Sequence, residues 1–314
     1  MLYCIPGERA YKPSTLLIGA CERGSTLPPQ SGMWQGSNVI ERVDLATGTD
    51  ELLAHIEAGV AILTLNRPEV RNALSDTLSP ALREMIATLS EDARVRAVVL
   101  TGAGAAFCAG GDVKGMGGRT KREDAPRTRD AAVVDLARRQ QTLTGALYAM
   151  PQPTLAVLPG PAAGAGFAIA LACDLRVMAD SAFVTTGYKR VALSGDYGAS
   201  FFLTQLIGTA RARELFFTGK RLGAVECEQL GIANRVVPAE RLQEESMSLA
   251  RELASGPTVA YRFMKRNLDL AMRTDLESCL RAEAEGVVAT ATTEDHQEAV
   301  RAFIEKREPR FRGR

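Results

Sequence analysis

Val98-Val-Leu-Thr-Gly-Ala-Gly-Ala-Ala-Phe-Cys-Ala-Gly-Gly-Asp-Val-Lys114 is the stretch that decides the reading of this chain. Its β-branched start reads as a buried strand that ends near Leu100–Thr101, followed by a turn of small residues. Gly110-Gly111-Asp112 then open what reads as a helix. Small side chains let a ligand come up to the main chain, and glycine permits the sharp bend. Peptide N–H groups at a helix start have no intrahelical acceptor, so they can meet a developing negative charge. Leu155-Ala-Val-Leu-Pro-Gly-Pro-Ala-Ala-Gly-Ala-Gly-Phe-Ala-Ile-Ala170 repeats the plan of strand, small-residue turn and helix. Two such turns face to face would make an oxyanion hole with one donor from each. Neither turn fits a dinucleotide fingerprint. After Gly164-Ala-Gly166 the third glycine position is Ile169, and after Gly102-Ala-Gly104 it is Phe107.

The composition fits one sizeable α/β core: 314 residues, 46% hydrophobic, 5% aromatic and 24% charged. Lys+Arg 38 against Asp+Glu 37 leaves +1, which points to neither nucleic acid nor an acidic membrane as a partner. Cys4, Cys21, Cys108, Cys173, Cys227 and Cys279 form no CxxC pair, which argues against a metal centre or a disulfide framework and suits a reducing cytoplasm. No apolar run reaches the roughly 18 residues of a membrane span. Leu16-Leu-Ile-Gly-Ala-Cys21 is too short and too weakly preceded by Arg9 and Lys12 for a secretory leader. Residues 1–48 otherwise read as an irregular arm, with Met33 as an alternative start.

Along the chain, residues 52–56 and 60–66 alternate as strands around a hairpin turn at Glu57-Ala-Gly59. Ser75 can cap a helix to about residue 92 that carries Leu78, Leu82, Met85, Ile86 and Leu89 on one face. A strand is expected over 95–101, a charged loop with Pro126 over 119–130, and a helix from there to about Met150. Strand 154–158, helix 164–173 and strand 175–178 follow. This alternation predicts parallel strands with right-handed crossovers. From about residue 199 the pattern is mostly helical, with segments at 199–206, 210–217, 224–230, 239–254, 257–273, 275–290 and 296–305, and Pro257 as the first residue of its helix.

The two turns in this order, with Ala61-Ile-Leu-Thr-Leu-Asn-Arg-Pro-Glu-Val-Arg-Asn-Ala-Leu74 before them and Ala302-Phe-Ile-Glu-Lys-Arg307 after, resemble the crotonase, or enoyl-CoA hydratase/isomerase, superfamily over residues 52–312. The resemblance implies an α/β crotonase (ClpP-like) fold of repeated ββα units around a parallel sheet. It implies an acyl-CoA core over 49–207 and a helical region over 208–314 that builds a trimer, or a dimer of trimers, and lids the site. The Ala109 and Ala165 N–H groups would hold the thioester oxygen. Arg67 and Arg71 would meet the nucleotide end of coenzyme A, Ala109, Gly110, Gly111 and Asp112 would follow its pantetheine arm, and Gly164 would also belong to the substrate site. Phe303 and Lys306 would come from the C-terminal helix. No cofactor is implied beyond the coenzyme A of the substrate.

Typical hydratases of the family use two glutamates, which the Cys173-Asp174 register places on Ala168 and Tyr188. Neither can act as a carboxylate. Tyr188 either packs on the acyl group or fills space beside the sheet, since a phenol of pKa about 10 is a poor base near neutrality. Leu193-Ser-Gly-Asp-Tyr-Gly198 resembles the segment where ring-epoxide isomerases and 4-chlorobenzoyl-CoA dehalogenases of the family carry a catalytic aspartate. Asp196 is thus the candidate acid/base, with burial beside Tyr188 and Phe201 to raise its pKa; the alternative is that Asp196 or Ser194 caps the following helix. Gln140-Gln141 stands where the dehalogenase has its histidine, and Cys108 has no histidine to activate it. Three functions follow: double-bond or ring isomerisation through an enolate, hydration with a rearranged base, or an inactive thioester-binding protein.

Overall fold

The computed structural model describes residues 42–112 and 128–314. The arm to residue 41, the short apolar stretch around Cys21, Met33 and the 119–127 part of the charged loop lie outside the described residues. The described residues open with a strand, β1 (Arg42–Leu45), which pairs antiparallel with β2 (Leu52–Glu57), so residues 42–45, expected as part of an irregular arm, are sheet. β2 turns through Ala58 and Gly59 into β3 (Val60–Leu65) as an antiparallel hairpin. Asn66 and Arg67 then lead to α1 (Leu78–Glu91). Ser75 accepts the Leu78 N–H at 2.8 Å, as a cap should, and Glu51 accepts both Leu78 N–H and the Ser75 hydroxyl.

The parallel part of the sheet runs β3, β4 (Ala97–Gly102), β5 (Thr154–Leu158), in the expected order. Between the last two, α2 (Arg129–Gln140) continues through a π turn (Gln141–Gly145) into a final turn, Ala146–Tyr148. After β5 come the two-residue β6 (Ala162–Ala163), α3 (Ala165–Ala172), β7 (Leu175–Ala179) and β8 (Phe183–Thr185). β7 lies beside β5 in the main sheet. Leu78, Leu82, Met85, Ile86 and Leu89 of α1 are all buried, the face read from their spacing. β5 is buried along its whole length, as an inner strand of the sheet between β4 and β7.

The region after residue 199 departs from the expectation of helix alone. The segments expected at 199–206 and 210–217 form one element, α4 (Ala199–Thr218), bent at Gly208, whose φ of 75° and ψ of 165° no helix accommodates. β9 (Leu222–Gly223) joins β6 and β8 in a second, three-stranded sheet. After α5 (Ala224–Gln229), β10 (Arg235–Val237) completes the seven-stranded main sheet, order β1-β2-β3-β4-β5-β7-β10. α6 (Leu242–Ser255) lies over β3, β4, β5 and β7, and its Leu249, Ala250 and Ala254 join the main core. The core therefore extends past residue 208 to about Ala254. The last helices are α7 (Thr258–Ala271), preceded by Pro257 at its cap, α8 (Leu276–Thr290) and α9 (Glu294–Glu305). They leave Leu268 70%, Val288 70% and Phe303 85% exposed.

Candidate active site

The two glycine turns touch. Ala163 N–H donates to Cys108 O at 2.9 Å, and Cys108 and Ala162 form a parallel bridge that carries the β4–β5 pairing out past the strand ends. Gly110, at φ 89°, lies so near α3 that a methyl group there would come within 2.7 Å of Ala163 O and 3.3 Å of Ala165 N. A methyl group at Gly166 would meet Cys108 O at 2.4 Å. Glycine is needed at both places because main chain meets main chain.

The N–H groups of residues 109–112 can be taken in turn. The Ala109 N–H donates to Arg71 O at 2.9 Å, so it is not the oxyanion donor expected at that position. The Gly110 N–H is directed at the Cys108 sulfur. The Asp112 N–H donates to Leu74 O at 3.3 Å, while Gly110 O accepts from Leu74 N–H at 2.8 Å. Gly111 is left as the residue of this strip whose N–H has no acceptor among the described residues. On the second turn, Gly164 N–H donates to Thr185 O at 3.1 Å, and Ala165 is the first residue of α3, with no intrahelical acceptor for its N–H. Gly111 and Ala165 line one cavity of about 390 Å³, which Asp196 also lines. A larger hollow, about 770 Å³, lies around α9 and the C-terminal tail; Arg307 and Glu298 pair there at 2.6 Å, and neither glycine turn reaches it.

Asn72 locks this arrangement and escaped the sequence reading. It is fully buried at φ 57°, accepts the Arg67 N–H at 2.8 Å and donates to Ala103 O and Ala106 O at 3.0 and 2.8 Å. One side chain thus ties the loop before α1 to the loop after β4. A buried asparagine in a left-handed turn can be suspected from Arg71-Asn72, but its partners lie some thirty positions downstream.

The positions of the family's two glutamates come together as well. Ala168 is fully buried against Tyr188, whose ring stacks on Phe216 with centroids 5.7 Å apart. The Tyr188 hydroxyl donates to Asp196 Oδ1 at 2.8 Å. The carboxylate of Asp196 therefore stands beside the place where the two glutamates would be. It does not cap α4: Ala199 N–H bonds the Asp196 carbonyl oxygen at 3.1 Å, and Gly198 at the cap offers no side chain. Burial raises the Asp196 pKa above its ordinary value, and the Tyr188 hydrogen bond pulls it part of the way back. Burial and the neighbouring Asp196 drive the Tyr188 phenol far up, so it keeps its proton. The loop is anchored on its other side, where Tyr197 N–H donates to Gln140 Oε1 at 2.9 Å.

The Cys108 thiol is fully buried and pushed up to about 12 by desolvation, which excludes it as a nucleophile near neutrality. Arg67 is held within the fold: it donates to Ala73 O at 2.6 Å and lies 3.4 Å from Glu51 and 3.8 Å from Asp112. Arg71 is exposed at the edge of the same turn. Phe303 and Lys306 sit at the end of α9 and do not line the cavity. The described residues bring together no group of three or more His, Cys, Asp or Glu that could hold a metal.

Residues 55–314 match the sequence model of the enoyl-CoA hydratase/isomerase family. The 1,2-epoxyphenylacetyl-CoA isomerase of Escherichia coli K12 is 32% identical over 263 residues, 84% of this chain and 98% of that protein. A probable enoyl-CoA hydratase of Rhodobacter capsulatus is 34% identical over 261 residues, 82% and 96% of the two chains. Among solved structures, an enoyl-CoA hydratase from Polaromonas sp. JS666 superposes with a TM-score of 0.75 at 32% identity, covering 83% of this chain and 99% of that one. One from Mycobacterium smegmatis also gives 0.75 at 32% identity, covering 84% and 99%.

Proposed function

The chain belongs to the enoyl-CoA hydratase/isomerase family, and from that premise we propose that it isomerises an acyl-CoA thioester through an enolate, with Asp196 moving the proton. The thioester oxygen lies between the N–H groups of Gly111 and Ala165. As Asp196 takes a proton from a carbon conjugated with the carbonyl, negative charge gathers on that oxygen, and two fixed donors lower the barrier by about 10²–10³ in rate each. The same carboxyl then returns the proton at another carbon, which shifts a double bond or reshapes a ring with no net loss of atoms. Tyr188 orients the carboxylate and holds its ionised form within reach. The reaction requires no cofactor beyond the coenzyme A of the substrate.

One observation carries this reading: Asp196, bonded to Tyr188 and raised in pKa by burial, lines the same cavity as Gly111 and Ala165. Ala168 leaves hydration without its usual carboxylate. The Escherichia coli relative, named as an isomerase of a ring epoxide, favours the same chemistry. Exposed Leu268, Val288 and Phe303 on α7–α9 support burial of that face between subunits, in a trimer or a dimer of trimers, with Phe303 and Lys306 reaching a neighbour's coenzyme A and Arg71 near its phosphates. The free thiols Cys108, Cys173, Cys227 and Cys279 suit a reducing, cytoplasmic setting. The test is a panel of 2-enoyl-, 3-enoyl- and aryl-acyl-CoA thioesters, followed spectroscopically beside Asp196→Asn. Migration of the double bond, lost in the variant, supports the reading. Addition of water favours a hydratase, and tight binding without turnover refutes catalysis.

A further inference from the structure

One wall of the cavity carries more positive charge than the proposed chemistry uses. Arg83 of α1 and Arg138 and Arg139 of α2 line it together with Asp196 and Tyr197; Asp76 and Asp112 line it too, each with a partner of its own, Arg67 among those of Asp112. Arg138 and Arg139 share a single acid, Asp135, at 3.0 and 2.7 Å. Arg83 has no hydrogen bond or ion pair among the described residues, although it is half-buried. Burial lowers its pKa, Tyr197 and Asp135 pull the other way, and the nearby charges of Arg139 and Arg138 add to the lowering. A half-buried guanidinium beside two others, with no ion pair among the described residues, is placed to take an anion that enters the cavity.

Resting on the acyl-CoA reading above, we propose that the acyl group this site takes ends in a carboxylate, held by Arg83 with help from Arg139, so that the substrate is the monothioester of a dicarboxylic acid. The phosphates of coenzyme A are the competing anion, and the site's layout disfavours them. Tyr197 follows Asp196 directly in the chain, and the charges of Arg83 and Arg139 act on its hydroxyl. These cations line the cavity with Asp196 but are not among the groups acting on its carboxylate, so they stand beyond the reacting carbons, where the far end of an acyl group would reach. The pantetheine arm carries the coenzyme's own phosphates well away from its thioester. A guanidinium also matches the planar, two-oxygen geometry of a carboxylate.

The experiment is binding of the full chain to unreactive saturated thioesters, measured by titration calorimetry. Succinyl-, glutaryl-, adipoyl- and suberoyl-CoA are each compared with the neutral thioester of the same length, butyryl- to octanoyl-CoA. A charge-assisted pair in a partly desolvated site predicts roughly ten- to a hundredfold tighter binding of the dicarboxylic member at one or more lengths. In Arg83→Gln that ratio should fall towards one, and Arg83→Lys should restore part of it, with melting temperatures checking that each variant folds. Equal affinities within every pair overturn the proposal but leave the acyl-CoA reading standing. A preference that survives both Arg83→Gln and Arg139→Gln also overturns it. Failure to bind any thioester overturns the acyl-CoA reading itself.

Discussion

Tyr188→Phe removes one hydroxyl and leaves the ring stacked on Phe216, so it isolates the 2.8 Å bond to Asp196. A hydrogen bond to a charged group contributes roughly 1.5–3 kcal/mol, and Asp196 is only partly buried, so the lower figure applies. At about 1.4 kcal/mol per pKa unit this corresponds to a shift of about one unit. The sign follows from the chemistry. The phenol stabilises the carboxylate, so removing it raises a pKa that burial already holds above 3.8. The acid limb of kcat/KM against pH should therefore lie above the ordinary carboxylate range in the native enzyme, and about one unit higher still in Tyr188→Phe. The assay is double-bond migration in a 3-enoyl-CoA across pH 4–9 (roughly the span that brackets a raised carboxylate). An acid limb that stays in place, or moves down, would refute the assignment of Asp196 as the base held by Tyr188.

Asp196→Asn should abolish turnover while raising the melting temperature at pH 7. A carboxyl with a folded pKa above its unfolded one binds protons more tightly when folded, so stability falls as pH rises through that window, and the amide escapes the loss. The gain should vanish at a pH below the unfolded pKa of about 4. Gly111→Pro deletes the unpaired N–H without touching the bonds of Gly110 and Asp112 to Leu74, and kcat should drop at least about a hundredfold; an unchanged rate in a folded variant would move the donor elsewhere. Asn72→Ala leaves the buried carbonyl of Ala106 and the part-buried one of Ala103 without their donor, and urea unfolding should show a loss of about 2–4 kcal/mol. Cys108 in the native protein should resist iodoacetamide at neutral pH, since its thiol sits at about 12; rapid labelling of that residue with loss of activity would reopen a covalent route.

Most of the sheet could be read from the sequence because β3, β4 and β5 are apolar runs bounded by glycine or proline, β7 follows directly on Cys173-Asp174, and α1 shows its buried face in the spacing of Leu78, Leu82, Met85 and Leu89. The meeting of the two turns was likewise legible. Only small residues could sit at Gly110 and Gly166, where one main chain lies on another. Which amide is free was not legible. The Ala109 N–H looks as available as that of Gly111 until Arg71 O and Leu74 O are in place, and their position depends on a turn built far upstream around Asn72. β6, β9 and β10 are too short, at two or three residues, for any alternation to declare them. The bend in α4 rests on one backbone angle pair at Gly208, which periodicity cannot reveal.

The bridge between Cys108 and Ala162 places the two candidate donors on segments that prolong neighbouring strands of one ladder, β4 and β5. The two backbones therefore meet, at that bridge, at the inter-strand spacing of about 4.8 Å, a property of peptide geometry that no side chain sets. The clamp on the carbonyl and the group that moves protons consequently belong to different layers of construction. Residues 168, 188 and 196 can be exchanged among carboxylates, alanine and tyrosine while the clamp keeps its dimensions. A scaffold divided in this way can be retuned from one thioester reaction to another by changing two or three side chains.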